Sequence, residues 1–129
     1  MPDLYQGDEC VTLSLVDPDN RRPVDFAARR ALLSALRHGA APADPDARKL
    51  ALVGALLDLR ARRPETFASG AYTPLDAGPD ALAFLRGDAV FVSMPVRERG
   101  RALDPPPGDW RSACPSLAGI TVFETAKKL

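Results

Sequence analysis

With 129 residues, 46% of them hydrophobic and 26% charged, the chain has the size and composition of one ordinary globular domain with one compact core. It is too short for a (β/α)8 barrel, which needs about 250 residues. Its 17 basic residues balance its 17 acidic ones, so charge gives no reason to expect a nucleic-acid or anionic-membrane partner. No apolar run approaches the roughly 20 residues that span a bilayer.

Residues 1–23 are polar, irregular and bounded by Pro2, Pro18 and Pro23. The opening MPDLYQGDEC has neither a basic n-region nor an apolar h-region and does not read as a signal peptide. Cys10 and Cys114 match no metal or redox spacing and read as reduced thiols of a cytoplasmic protein. Val11, Leu13 and Leu15 alternate with Thr12 and Ser14, which suits a half-buried strand or an extended loop. Asp17-Pro18-Asp19-Asn20 then has turn chemistry, because Asp and Asn bond their own backbone and Pro presets φ.

Residues 24–63 read as a helix pair. Asp25 is placed to cap a first helix carrying Phe26, Leu32, Leu33 and Leu36 and stopping at Gly39, with His38 in a structural role in its last turn. Beyond an Ala/Pro/Asp linker, Asp46 is expected to cap a second helix that runs to about Arg63 and stops at Pro64. Leu50 to Leu57 contains no charged side chain, so for two turns this helix has no solvent face and needs cover on several sides.

From Gly70 the pattern turns to strands: Tyr72–Leu75, Ala81–Leu85, Ala89–Met94 and, after a proline-rich loop, Gly119–Glu124. Arg86-Gly87-Asp88 is short enough for a hairpin turn. The fold class expected is α+β, two N-terminal helices followed by a small antiparallel sheet or partial sandwich. The expected division is 1–68 for the loop and helix pair and 69–129 for the β domain.

Local motifs carry little chemistry on their own. No GxGxxG or P-loop opens a helix, and a single histidine excludes a multi-histidine metal site and argues against a Ser-His-Asp triad. No cofactor and no metal are expected. The acids at Asp8, Glu9, Asp17, Asp19 and Asp25 read as surface groups. Asp17 to Pro23 is more informative, with acids, an amide and two guanidinium groups held between prolines. Such a segment suits binding of sugar hydroxyls, but its residue types favour a self-satisfied turn in which Arg21 or Arg22 pairs with Asp17 or Asp25.

Two stretches carry a resemblance. Tyr5-Gln6-Gly7-Asp8-Glu9 and Leu15-Val16-Asp17-Pro18-Asp19-Asn20-Arg21-Arg22-Pro23-Val24-Asp25 resemble the maltooligosyl trehalose synthases of the α-amylase family. The first is similar to that family's Y-x-G-x-E motif at the end of the eighth barrel strand, and the second is much more specific to the trehalose-forming enzymes. Pro64-Glu65-Thr66-Phe67, Gly70-Ala71-Tyr72-Thr73-Pro74-Leu75 and Ala83-Phe84-Leu85-Arg86-Gly87-Asp88 follow in the family's order. Cys10-Val11-Thr12 departs from it where an aromatic residue is usual.

The resemblance implies an intramolecular glucosyl transfer, an isomerase reaction of trehalose biosynthesis that turns a reducing-end α-1,4 linkage into α,α-1,1 by a retaining route. It places the aspartate nucleophile, the glutamate acid/base and a second aspartate on barrel strands four, five and seven, all upstream of the region matched here. No acid of this chain is therefore assigned a catalytic role. The residues carried over are substrate-contacting ones: Tyr5, Gln6, Asp17, Asp19, Asn20, Arg21 and Arg22. The expectation is a C-terminal fragment, inactive alone, whose N-terminal part is a remnant of the barrel's end. Two alternatives are a free-standing module for maltooligosaccharide or α-glucan, and a subunit that docks on a separately encoded barrel polypeptide.

Overall fold

A computed structural model describes residues 5–14, 21–97, 100–114 and 119–126. The chain divides into two compact units, Met1–Gly54 and Ala55–Leu129.

In the first unit, helix α1 (Phe26–Arg37) begins where the side chain of Asp25 accepts a hydrogen bond from the Ala28 amide at 2.9 Å. It ends at Gly39, whose φ of 94° is the left-handed conformation that glycine adopts without a Cβ penalty. The last turn is closed by His38, whose Nδ1–H donates to the Ser34 carbonyl at 2.7 Å. That contact is the structural role expected of this histidine.

Helix α2 (Pro45–Arg62) begins differently from expectation. Asp44, not Asp46, is the cap, its carboxylate accepting from the Ala47 amide at 2.8 Å. The reason is Pro45: its fixed φ and missing N–H suit the first helical position, which moves the cap to the residue before it. Asp46 is thereby released for another partner, described below.

Within α2, Ala47, Leu50 and Leu59 are buried. At about 100° per residue, the step from Leu50 to Leu59 ends on the opposite side of the helix. The helix thus buries one side early and the other late, which is why the segment shows no single polar face. The expected shortage of cover is found near its end. Leu59 is 1% exposed, Leu56 36% and Leu57 60%. Exposure grows with angular distance from Leu59, since Leu57 lies about 160° around the helix from it.

The second unit continues from the end of α2. Pro64 does not only end that helix; it opens a further short one, α3 (Pro64–Ala68), which the sequence pattern does not signal. A five-stranded antiparallel sheet follows: β1 (Tyr72–Leu75), β2 (Ala81–Arg86), β3 (Val90–Pro95), β4 (Trp110–Ser112) and β5 (Thr121–Thr125), in the order β1-β2-β3-β5-β4. The Arg86-Gly87-Asp88 hairpin is present, with Arg86 opposite Val90 and Gly87 at φ 55°. Of the two expected β arrangements, the described residues form the single sheet. The short edge strand β4 is not anticipated from the sequence.

Period-two alternation sorts the side chains of the sheet onto two faces. On one, Phe91 is fully buried and packs edge-on to Trp110, with ring centroids 6.4 Å apart, and against Phe123 at 6.3 Å. Ser93, also fully buried, accepts the Leu103 amide at 2.8 Å, which ties the proline-rich loop to the central strand. On the other face lie Val90, Val122 and Glu124.

Glu124 is only 3% exposed and is surrounded by guanidinium groups. Arg62 reaches Oε1 at 3.0 Å, Arg111 reaches the same oxygen at 3.2 Å, and Arg63 reaches Oε2 at 3.1 Å. Arg63 also donates to the Thr125 carbonyl. Burial by itself raises the carboxyl pKa, but the hydrogen bonds from Arg63 and Arg62 and the charges of Arg62 and Arg111 outweigh it and hold it below the ordinary value near 4.5.

Because this pKa is depressed in the folded state, the stability it contributes is complete above pH 4.5 and is lost as pH falls through the folded value. Urea midpoints measured from pH 7 to pH 3 are expected to fall below about pH 4.5 in the parent, and to fall less steeply in Glu124→Gln. At pH 7, Glu124→Ala is expected to cost about 3 kcal/mol, because it strands Arg63. Arg62→Ala and Arg111→Ala are each expected to cost less than about 1 kcal/mol, because those side chains are 46% and 61% exposed.

Candidate functional site

The sequence places its candidate residues before α1, and the structure shows what positions the described part of that segment. Tyr5 opens a turn whose carbonyl accepts the Asp8 amide at 3.3 Å, while the Asp8 carboxylate accepts the Tyr5 amide at 3.3 Å. Gly7 follows at φ 94°. A Cβ there would sit 3.1 Å from a Val24 methyl and 3.3 Å from an Arg29 nitrogen, so space and backbone both require glycine.

Arg29, on α1, fastens this turn. Its Nε lies 3.0 Å from Glu9 Oε1 and its Nη2 donates to the Gly7 carbonyl at 3.3 Å. Two residues of α2 hold the next stretch. Asp46 Oδ1 accepts the Val11 amide at 2.7 Å, and Lys49 Nζ donates to the Cys10 carbonyl at 2.9 Å. Residues 11–14 are exposed and form neither helix nor strand, the extended-loop alternative for that alternating stretch. Side-chain bonds to the backbone, with few buried apolar groups, give the segment its shape.

Those contacts leave a cleft of about 240 Å³ lined by Gln6, Thr12, Leu13, Arg22, Val24 and Arg29, among others. Of the expected residues, Gln6 and Arg22 come together on its wall. Tyr5 is 54% exposed on the neighbouring turn, and Arg21 is exposed beside Arg22. Asp17, Asp19 and Asn20 lie outside the described residues. The cleft offers an amide, two guanidinium groups, two hydroxyls and the apolar Leu13, a donor-rich surface of the kind that engages hydroxyl oxygens.

Arg29 is the member that sequence reasoning misses. In the sequence it is one of several arginines on α1, and only its spacing from Asp25 marks the first turn. The signal that could have found it is Glu9 in the Y-x-G-x-E motif, a half-buried carboxylate in need of a cation.

Elsewhere the chemistry is sparse. Cys10 and Cys114 are buried and free. Burial raises the thiol pKa of both; at Cys10, Asp46 and Glu9 add to that rise while Arg29 and Lys49 oppose it. Such protonated thiols are poor nucleophiles. A second cavity of about 250 Å³ is lined by Asp88, Asp109, Thr125 and Ala126. Among the described residues no group of three His, Cys, Asp or Glu side chains is arranged to hold a metal ion. No helix among them is long and apolar enough to cross a membrane.

No family model matches the chain. Proteins of two Mycobacterium tuberculosis strains named "Putative maltooligosyl trehalose synthase" are 41% identical to it over 133 residues, covering 94% of this chain and 16% of theirs. The fold is that of part of a crystal structure of maltooligosyl trehalose synthase, with a TM-score of 0.73 and 25% identity, covering 96% of this chain and 19% of that one. A hypothetical maltooligosyl trehalose synthase of Sulfolobus tokodaii shares the fold, with a TM-score of 0.69 and 22% identity over 95% of this chain and 18% of that one. The chain thus spans about a sixth of the length of the curated relatives it matches.

The anchoring of the loop is open to a direct check. Asp46→Ala removes the acceptor of the Val11 amide, an exposed hydrogen bond worth about 1 kcal/mol. Amide hydrogen exchange at Val11 is expected to speed up about fivefold, while amides in the middle of α1 stay unchanged.

Proposed function

The chain is homologous to a C-terminal portion of maltooligosyl trehalose synthase, and from that premise we propose that it is the substrate-contacting and C-terminal part of such an enzyme. The activity concerned is that of a (1→4)-α-D-glucan 1-α-D-glucosylmutase. The observation that carries the reading is the pairing of 41% identity across 94% of this chain with coverage of only 16% of the relatives.

The chemistry supports the expectation that this part has no turnover alone. Retaining transfer between glycosidic linkages needs a nucleophilic carboxylate and an acid/base carboxyl about 5–5.5 Å apart across the scissile bond. The family resemblance locates both upstream of the matched region. What this chain supplies is orientation. Tyr5, Gln6, Arg21 and Arg22, with Asp17, Asp19 and Asn20, present hydroxyl-binding groups to a maltooligosaccharide. Gln6 and Arg22 do so across the cleft that Arg29 braces. A cytoplasmic site of action accords with the two buried free thiols.

That cleft also supports a second reading, a free-standing α-glucan-binding module. Two measurements on the purified chain test these readings. Incubated with maltopentaose, the chain is expected to leave reducing ends intact and to form no α,α-1,1 linkage by anomeric proton NMR; the appearance of that product would overturn the fragment reading. Calorimetric titration with maltopentaose is expected to give weak, millimolar binding that Arg22→Ala weakens several-fold. Absence of heat at millimolar sugar removes the binding module and the substrate role of the loop.

A further inference from the structure

Arg29 carries more donors than a brace requires. A guanidinium holds five N–H groups in one rigid plane. Nη1 donates to the Asp25 carbonyl and Nη2 to the Gly7 carbonyl, each at 3.3 Å, and Nε is buried beside Glu9 Oε1 at 3.0 Å. One N–H on each Nη therefore has no partner among the described residues. Lys49 offers a comparison in the same loop: a single ammonium holds the Cys10 carbonyl at 2.9 Å, so fastening the backbone does not call for a guanidinium. The Arg29 side chain also borders the cleft that Gln6, Leu13 and Arg22 line.

Glu9 sets the electrostatics of those donors. The Arg29 and Glu9 side chains are 22% and 30% exposed, so the attraction between them is only partly screened by solvent. A guanidinium paired in this way gains little from a second anion and keeps its spare N–H groups for uncharged oxygens. A glucose residue within an α-1,4 chain offers such oxygens side by side, in its C2 and C3 hydroxyls. Leu13, 92% exposed on the same cleft, offers an apolar surface to the C–H groups of the ring.

We propose that Arg29 is a substrate-contacting residue, donating from Nη1 and Nη2 to adjacent hydroxyls of one glucose residue of an uncharged α-glucan. Glu9 is the residue that positions it and that turns anionic ligands away from the cleft. The inference rests on the functional reading above and adds to it a contact and a charge selectivity. One side chain then has two tasks: it fastens the Gly7 turn and it reads the ligand beside that turn.

The test titrates the full chain with maltopentaose by calorimetry, alone and with inorganic phosphate as competitor. Arg29→Lys keeps a cation beside Glu9 but loses the planar set of donors, and is expected to weaken maltopentaose binding about fivefold, the effect of one net hydrogen bond. Arg30→Lys, at an exposed neighbour on α1, is expected to leave it unchanged. Glu9→Gln is expected to bind phosphate that maltopentaose displaces, a gain that a purely structural Glu9 would not produce. Thermal melts and Val11 amide exchange matching the parent show that fold and loop survive; if Arg29→Lys fails them, Arg29→Gln takes its place. Equal affinity of the parent and the folded Arg29 variant overturns the contact. Phosphate displacing maltopentaose from the parent, or a folded Glu9→Gln without phosphate binding, overturns the role of Glu9. If the parent gives no heat, the substrate role of the loop falls together with the contact, whereas a failure confined to the variants leaves that role standing.

Discussion

A buried carboxylate on the strand next to a sheet edge is the constraint on which the second unit depends. Glu124 stands on β5, between β3 and β4, and is almost wholly removed from water. An isolated charge there would be prohibitively expensive, so the chain must bring cations to it. It does so from two directions: Arg111 from the edge strand, and Arg62 and Arg63 from the end of α2 and the junction with α3. Because Arg63 also bonds the Thr125 carbonyl, the junction is fixed to backbone as well as side chain.

That requirement sets the rotation of the last turns of α2. Leu59 and Arg62 are spaced three apart and share one side of the helix, and Arg63 follows at the junction as the cap position of α3. Once the arginines face Glu124, Leu59 is buried with them and Leu57 is turned away. The exposed leucines are thus a consequence of the arginine cluster and not a defect of packing.

The first unit is held together by other means. Its helix α1 has no fully buried residue, and its N-terminal loop is shaped by Asp46, Lys49 and Arg29 bonding to backbone carbonyls and amides. Directional bonds of this kind specify a loop without filling a core. They also explain why Gln6 and Arg22, far apart in the sequence, line one cleft: Gly7 and Val24 pack closely between them, and Arg29 clamps the turn.

Much of this architecture is legible in the amino-acid sequence. Asp25 and Gly39 mark the ends of α1 because capping is local chemistry, and Gly87 marks the hairpin because a tight turn needs its φ. The α+β class, the antiparallel sheet and the homology to a trehalose synthase region are legible in pattern and motif. Other features are not, because each depends on residues distant in sequence. Pro45 marks Asp44 as the cap locally, but the use of Asp46 to hold the Val11 amide joins residues 35 apart. The strand β4 exists only because β5 offers an edge, and Arg29 matters only through Glu9 and Gly7. The sequence by itself determined most of the elements, several of their caps and the resemblance of the region, since short-range sterics and hydrogen bonds govern those. Only the tertiary structure decided that Glu124 is buried, that three arginines answer it, and that Leu57 faces outward, since burial is a property of the assembled neighbours and of no single residue.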